Sequence, residues 1–546
     1  MNIKRTVILT LAMAASVAST AQRRNRADDT VISGATIEII QSYKPEVEQP
    51  PKPELTPTLP PIDTTTPVLN YTVPEQTLYY TYSSLPLRPL ALSVDSAVKP
   101  LSNYLKLGGG NLSTIYLDAG ITALHGADYE TGIHVQHLSQ NGGIKNQKVS
   151  LTGLNADGTL HKNGKAIRGR FGVSNNAYHF YGYDHAVYNY DAATVRQSYT
   201  TISLGADLTD EREIISGLTY HPSVDFSYFK DKSFFTEANA DIIIPFTYYI
   251  DSNFQVYINA AAKMTFFSAS NGSRQTNSYY YISPGLQFKT SKFYGHAAIA
   301  PTWGSSGKQY ILPDLKIHFT VPETQLMMFA GWKGELTRNN NQQLTAINPY
   351  IYTAFPAQQT ASQEAFVGVK SNVGSKIAFS GRVSWWNYNN LPVFINDTAT
   401  DKKQFIVLYD NKVNAISLQA SIRYQVAEVF SLGFSGQWFN FYNKTFEQVW
   451  HRPGVRFTGD ILAQPTKKLT ITGYVSFIDE LYALEVNNRT FKLNALLDIG
   501  AGAEYEVIKR VNLFVQANNL LNNDYQRWYG YNAYGMNIFG GARLKF

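Results

Sequence analysis

The chain has 546 residues, 44% of them hydrophobic, only 16% charged and none cysteine, with a formal net charge of +6. A soluble enzyme of this size carries about 25% charged residues; here small polar residues, 37 Tyr and 30 Phe make up the difference. The lack of cysteine excludes a disulfide scaffold, thiolate metal sites, a cysteine nucleophile and a lipid anchor on an N-terminal cysteine, and the dispersed basic residues exclude a nucleic-acid-binding stripe.

At the N-terminus, Lys4 and Arg5 precede an apolar run from Thr6 to Val17 that ends in the small residues Ser19, Thr20 and Ala21. The run is shorter than the roughly 20 residues a spanning helix needs, so it predicts a cleaved signal peptide over 1–21 and export beyond the inner membrane. Residues 22–100 hold 12 of the 23 prolines. That density removes backbone donors and fixes φ, which favours an extended, polyproline-like arm over a packed domain. Two islands, 35–40 and 78–82, have the composition of short strands. No later segment offers 18 consecutive apolar residues, so any membrane crossing is made by strands.

From 101 to 546 the text alternates with a period of two. Leu469, Ile471, Gly473, Val475 and Phe477 interleave with Thr470, Thr472, Tyr474 and Ser476, and the same register runs through 254–264, 416–424, 430–438 and 511–518. Successive strand side chains point to opposite faces, giving one apolar and one polar face. These runs reach nine or more residues, longer than the usual five or six of a soluble strand and matched to the 9–11 that cross a bilayer at a tilt. Inside lipid every backbone group must be bonded within the protein, so such a sheet has to close. The predicted fold class is therefore all-β, a transmembrane antiparallel β-barrel behind a short proline-rich periplasmic extension.

Turns set the direction of each strand. Short links at 251–252, 290–292, 322–324, 373–376, 427–428, 464–468 and 508–510 alternate with long polar ones at 140–164, 338–361, 389–403, 443–454, 479–490 and 523–535. Short turns on one side and long loops on the other mark an outer-membrane barrel. Twenty-one strands are predicted, among them 129–139, 165–174 and 176–184, and 140–164 reads as a long loop. Barrels of this kind carry an even number, so 103–107 is added and the expected count is about 22. Arg543, Lys545, Gln516, Arg423 and Lys263 then fall on the lumen face.

The last 36 residues carry a resemblance. Asn518, Asn519, Leu520, Leu521, Asn522 and Tyr525 form a run that begins in the penultimate strand, and an alternating strand ends in Ala542, Leu544 and Phe546. This tail resembles the end of a TonB-dependent receptor barrel, and the resemblance implies that Phe546, Leu544 and Ala542 form a barrel-assembly signal and that the protein resides in a Gram-negative outer membrane. Such receptors carry a folded plug ahead of the barrel, whereas 22–100 is too short and too extended to be one. The string 29–33 is a faint counterpart of their TonB-contact box. With nothing to be pulled, TonB contact and active uptake are in doubt. A barrel this wide must be closed by something, because known transporters of this size are plugged.

Local chemistry adds little. His134 and His137 are three apart on a strand and face opposite ways; His179 and His185 lack carboxylate partners for a zinc site. Residues 304–308 lack the spacing and following helix of a phosphate loop and read as a hairpin tip. Asp397 and Asp401 read as a solvated loop. No catalytic set, metal or cofactor is expected. The outer loop with Tyr525, Arg527, Trp528, Tyr529, Tyr531 and Tyr534 is denser in aromatics than a membrane girdle requires, and these residue types suit a partner surface or a ligand. The sequence thus predicts a plugless scaffold or docking subunit of an outer-membrane complex, with outer-membrane lipid around it and a surface lipoprotein or barrel-assembly subunits as partners, and no nucleic acid. The competing expectation is a nutrient transporter or porin of the TonB-dependent type.

Overall fold

The computed structural model describes residues 103–546 except 127, 213–216, 233–234, 270–271, 306, 322–324, 354–356, 398–399, 427 and 486–488. The expected leader over 1–21, the extension over 22–100 with its islands and its 29–33 string, and the expected lack of a plug all fall outside the described residues.

Alternation of apolar and polar side chains produces a closed antiparallel barrel of 22 strands. The first, Tyr104–Gly110, pairs with the last, Asn537–Lys545, placing Tyr104 opposite Lys545 and Gly110 opposite Phe539. Closure leaves no strand edge unpaired, which is what lipid demands. The seventh strand crosses in two pieces, Gly217–Tyr220 and Ser223–Asp231, interrupted where Pro222 has no N–H to give the ladder. One face carries exposed Ile282, Leu286, Ile299, Ile317, Leu418 and Val515. The other carries ion pairs such as Arg423–Asp460 at 3.0 Å and Arg543–Glu504 at 3.3 Å. The apolar belt is the lipid face of an outer-membrane barrel.

Two expected boundaries are corrected, and their errors cancel in the count. The stretch 140–164 is not one long loop: Lys148–Lys162 is a full strand paired to both neighbours. The predicted strands 165–174 and 176–184 are one strand, Lys165–His179, so 165–174 runs away from the termini rather than toward them. The hairpin between them turns on Asn163 and Gly164, with φ of 53° and 69°, the positive values that a two-residue turn of this type needs and that Asn-Gly supplies at little steric cost. Beyond His179 the chain leaves the wall. Phe180, Tyr181 and Tyr183 look like a continuing strand in sequence, but they are buried at 4%, 3% and 4% exposure among other loops.

At the end opposite the termini one hairpin departs from the wall. Strands Gln309–Val321 and Leu326–Arg338 stay paired only up to Asp314 opposite Lys333. Above that point, Leu336 and Ala361 pack against Tyr279 and Leu312, and Tyr281, Ala300 and Tyr310 flank the cluster. Tyr279, Tyr281, Ala300, Tyr310 and Leu312 all lie on the face opposite the exposed Tyr280, Ile282, Ile299 and Ile311. The upper part of strands Leu326–Arg338 and Gln359–Val373 is therefore folded inward, onto the inner wall.

Candidate functional site

The inward hairpin carries the loop 339–358, whose start forms the helix Asn341–Ile347. Asn340 caps it by accepting from the Gln343 amide at 2.9 Å, the usual way to satisfy a free helical N–H. A polar clasp fixes this helix to strands far around the wall. Glu237 accepts from the Asn341 amide at 2.7 Å, Asn340 donates to Asn239 at 2.9 Å, and Asn239 and Ser227 donate to Gln342 at 3.0 and 2.7 Å. Arg338, only 6% exposed, donates to the Met264 carbonyl at 2.7 Å and to Thr265 at 3.1 Å and also pairs with Asp241. Strand Leu326–Arg338 is thirteenth in the barrel, whereas Phe235–Tyr249 and Phe254–Ala269 are eighth and ninth. Contacts between them run through the interior, which identifies the charged face as the lumen side.

Three loops meet beside this helix, whose Leu344 belongs to the same buried cluster. Tyr181 follows the fifth strand, Tyr350 the thirteenth and Tyr531 the twenty-first, roughly a third of the circumference apart. Tyr350 stacks on Tyr531 at 3.7 Å between centroids, and Tyr181 stands edge-on to both, at 6.1 and 4.8 Å. Such pairs contribute about 0.5–1.5 kcal/mol each beyond the area they bury. Burial pushes the Tyr350 and Tyr531 phenols well above their ordinary value, so both stay neutral. Hydroxyls at and around the junction are tied to backbone: Tyr181 donates to the Asn532 carbonyl at 2.7 Å, Tyr199 to the Pro349 carbonyl at 2.9 Å, and Tyr531 to the Lys403 carbonyl. Around this junction Leu344, Ile351, Phe394, Phe405 and Trp528 complete one buried core. Phe394 and Phe405 come from a hairpin, Leu391–Asn396 with Phe405–Asp410, inside the loop after the fifteenth strand. Loops rooted at opposite sides of the rim thus share a hydrophobic core, and together they form a folded cap over the mouth.

The residues singled out in sequence are distributed through this arrangement. Trp528 and Tyr531 are inside the cap, 6% and 3% exposed. Tyr525 and Tyr529 pack on a second cluster around Leu481, Ala483, Leu493 and Leu496, while Tyr534 is half-buried. Asp401 does not sit in open solvent as expected: it is 7% exposed, paired with Lys403 and bonded by Tyr190 at 2.7 Å. At the expected hairpin tip the Gly304 amide bonds to the Lys308 carbonyl at 3.0 Å. His134 meets Asp118 at 2.7 Å and His137 meets Thr152 at 2.8 Å, separate partners on separate faces. Gln516 donates to Asn518 at 3.2 Å, Lys263 lies 5.9 Å from the Tyr279 ring, and Arg543 lies over Tyr104 at 4.6 Å. Lys545 alternates with Leu544 and Phe546, which are 45% and 50% exposed on the belt face together with Ile538.

Nothing in the linear pattern singles out His451, which is 1% exposed and wedged against the Phe405 and Trp528 rings at 5.1 Å. Its Nδ1 donates to the Arg527 carbonyl at 3.4 Å, and Arg527 donates back to the His451 carbonyl at 2.9 Å. Burial, reinforced by the Arg527 charge, pushes the imidazole down to about 3. Arg527 itself is lowered to about 10 by burial and by its neighbours Arg456 and Arg452. On the lumen side of these residues lies a cavity of about 280 Å³. Among the described residues, no three His, Asp or Glu side chains converge as a metal site.

No protein-family model matches the chain, and no curated protein matches it. Solved structures do. The FrpB iron transporter from Neisseria meningitidis superposes with a TM-score of 0.62 at 10% identity, over 81% of this chain and 81% of that one. The ferric-catecholate import receptor Fiu from E. coli K12 gives 0.59 at 9% identity over 82% of each chain. The siderophore receptor PiuA from Acinetobacter baumannii gives 0.57 at 12% identity, over 81% of this chain and 82% of that one. At such identities the likeness is one of fold, and that fold is the TonB-dependent receptor barrel.

Proposed function

We propose that this outer-membrane barrel is a scaffold or docking subunit of an outer-membrane complex, closed on its outer side by a cap made of its own loops. The observation that carries the reading is the junction of Tyr181, Tyr350 and Tyr531, where loops from three parts of the rim share one buried core. An open porin keeps a water-filled lumen; here the loop ends are spent on packing against each other. A cap with fixed packing presents a pre-formed surface, and pre-formed surfaces bind with little reorganisation. A surface lipoprotein or subunits of barrel-assembly machinery match this role, with lipid on the apolar belt. Purification in mild detergent followed by native mass analysis tests it: a stoichiometric partner is expected, and a lone, monodisperse barrel overturns the reading.

The second reading is nutrient uptake of the TonB-dependent type, favoured by the fold shared with the iron transporter FrpB and the receptor Fiu. Planar-bilayer recording separates the two. A silent barrel fits the scaffold, while steady conductance or substrate-dependent block fits transport.

A further inference from the structure

The cavity under the cap is lined by Arg452 and Arg527 from the outer loops and Arg456 from the wall, with Tyr388, Phe439 and Phe441 beside them. Among the described residues none of the three guanidiniums forms an ion pair. Elsewhere on the lumen wall the arginines are matched: Arg170 with Asp207 and Asp225, Arg382 with Glu364, Arg423 with Asp460. Arg452 and Arg527 spend one donor each on backbone carbonyls, of Pro392 and His451, which fixes their positions and leaves most of each fork free. His451 lines the same cavity, and because its Nδ1 carries the proton given to the Arg527 carbonyl, its Nε2 is a buried acceptor with no partner.

We infer that this cavity is a binding site for a small organic dianion with a flat apolar body, a phosphate monoester being the simplest ligand that matches. Guanidinium forks match phosphate and carboxylate oxygens in pairs, and like charges held together without a counter-ion repel each other until an anion arrives. The mutual effect of Arg452, Arg456 and Arg527 is visible in the lowered Arg527 value. The aromatic side chains supply stacking area for the body of the ligand. The volume suits one small molecule, at the low end of ligand pockets.

The test is calorimetric titration of the full-length protein in detergent with phenyl phosphate. Saturable binding is expected, weakened at least about 10-fold in Arg456→Gln, which removes an exposed lumen-wall guanidinium from the site. Arg423→Gln, a lumen arginine outside the cavity, is expected to bind like the unmodified protein and controls for general loss of lumen charge. Phenyl β-glucoside, equally flat but neutral, is expected not to bind. No saturable heat with phenyl phosphate, or equal affinity in Arg456→Gln, overturns the site; inorganic phosphate binding as tightly as phenyl phosphate overturns the role of the aromatic wall.

Discussion

His451 shows how a single residue sets the pH response of the cap. Its value of about 3 in the folded cap lies below the ordinary 6.5. As pH falls through 6.5 the opened cap therefore gains a proton that the closed cap does not. Stability of the closed form is complete above about pH 7 and is lost as pH drops toward 3, at up to about 1.4 kcal/mol per pH unit. Limited proteolysis of the outer loops is expected to be slow at pH 7.5 and fast at pH 4.5. In His451→Phe, which keeps a ring between Phe405 and Trp528, this difference is expected to shrink; an unchanged pH slope in that variant would show that His451 is not the titrating group. Composition flagged the loop around Trp528 and Tyr531 as denser in aromatics than a girdle. It said nothing of His451, because burial arises from the contact of loops 76 residues apart in sequence.

Among the elements, the inward hairpin depends on one close approach. A Cβ on Gly334 would lie 2.9 Å from Leu312 Cβ and from Pro313 Cδ, and 3.1 Å from Leu312 Cα, at the level where Leu326–Arg338 leaves its neighbour. Gly334→Val is therefore expected to push the hairpin off the inner wall and release the clasp of Glu237, Asn239 and Arg338. Hydrogen exchange of residues 341–347 would rise at least about 10-fold; protection equal to that of the unmodified protein would contradict the geometry. Strands themselves were readable from their two-residue period, and one missed strand, Lys148–Lys162, was readable too. Its Asn163-Gly164 turn is a strong hairpin signal, obscured by the polar, glycine-bearing text before it. The inward bend is another matter. Leu336 keeps the alternation of the lipid face and yet is 2% exposed against the lumen wall. A period of two separates the faces of a strand without saying what covers either one.

At the scale of the whole molecule, the width that follows from 22 strands calls for a closure, and the arithmetic of strands and loops cannot name it. The described residues supply one in the meeting of loops after the fifth, thirteenth and twenty-first strands. Of these, the loop 339–358 does the most: it brings Tyr350 to the junction, Leu344 and Ile351 to the core, and its helix to the clasp. Replacing 340–357 by a short Gly-Ser link leaves the strand pairing below Asp314 and Lys333 untouched, so the barrel should still insert. It removes one of the three supports, and the Tyr181–Tyr531 pair that remains spans only one side of the mouth. In planar bilayers the unmodified protein is expected to be silent and the loop-replaced variant to conduct steadily, with ion selectivity set by the unpaired Arg452, Arg456 and Arg527 toward anions. A silent variant that is correctly inserted would mean that the cap is not what closes the barrel. Steady current through the unmodified protein would mean that the cap, though packed, does not seal.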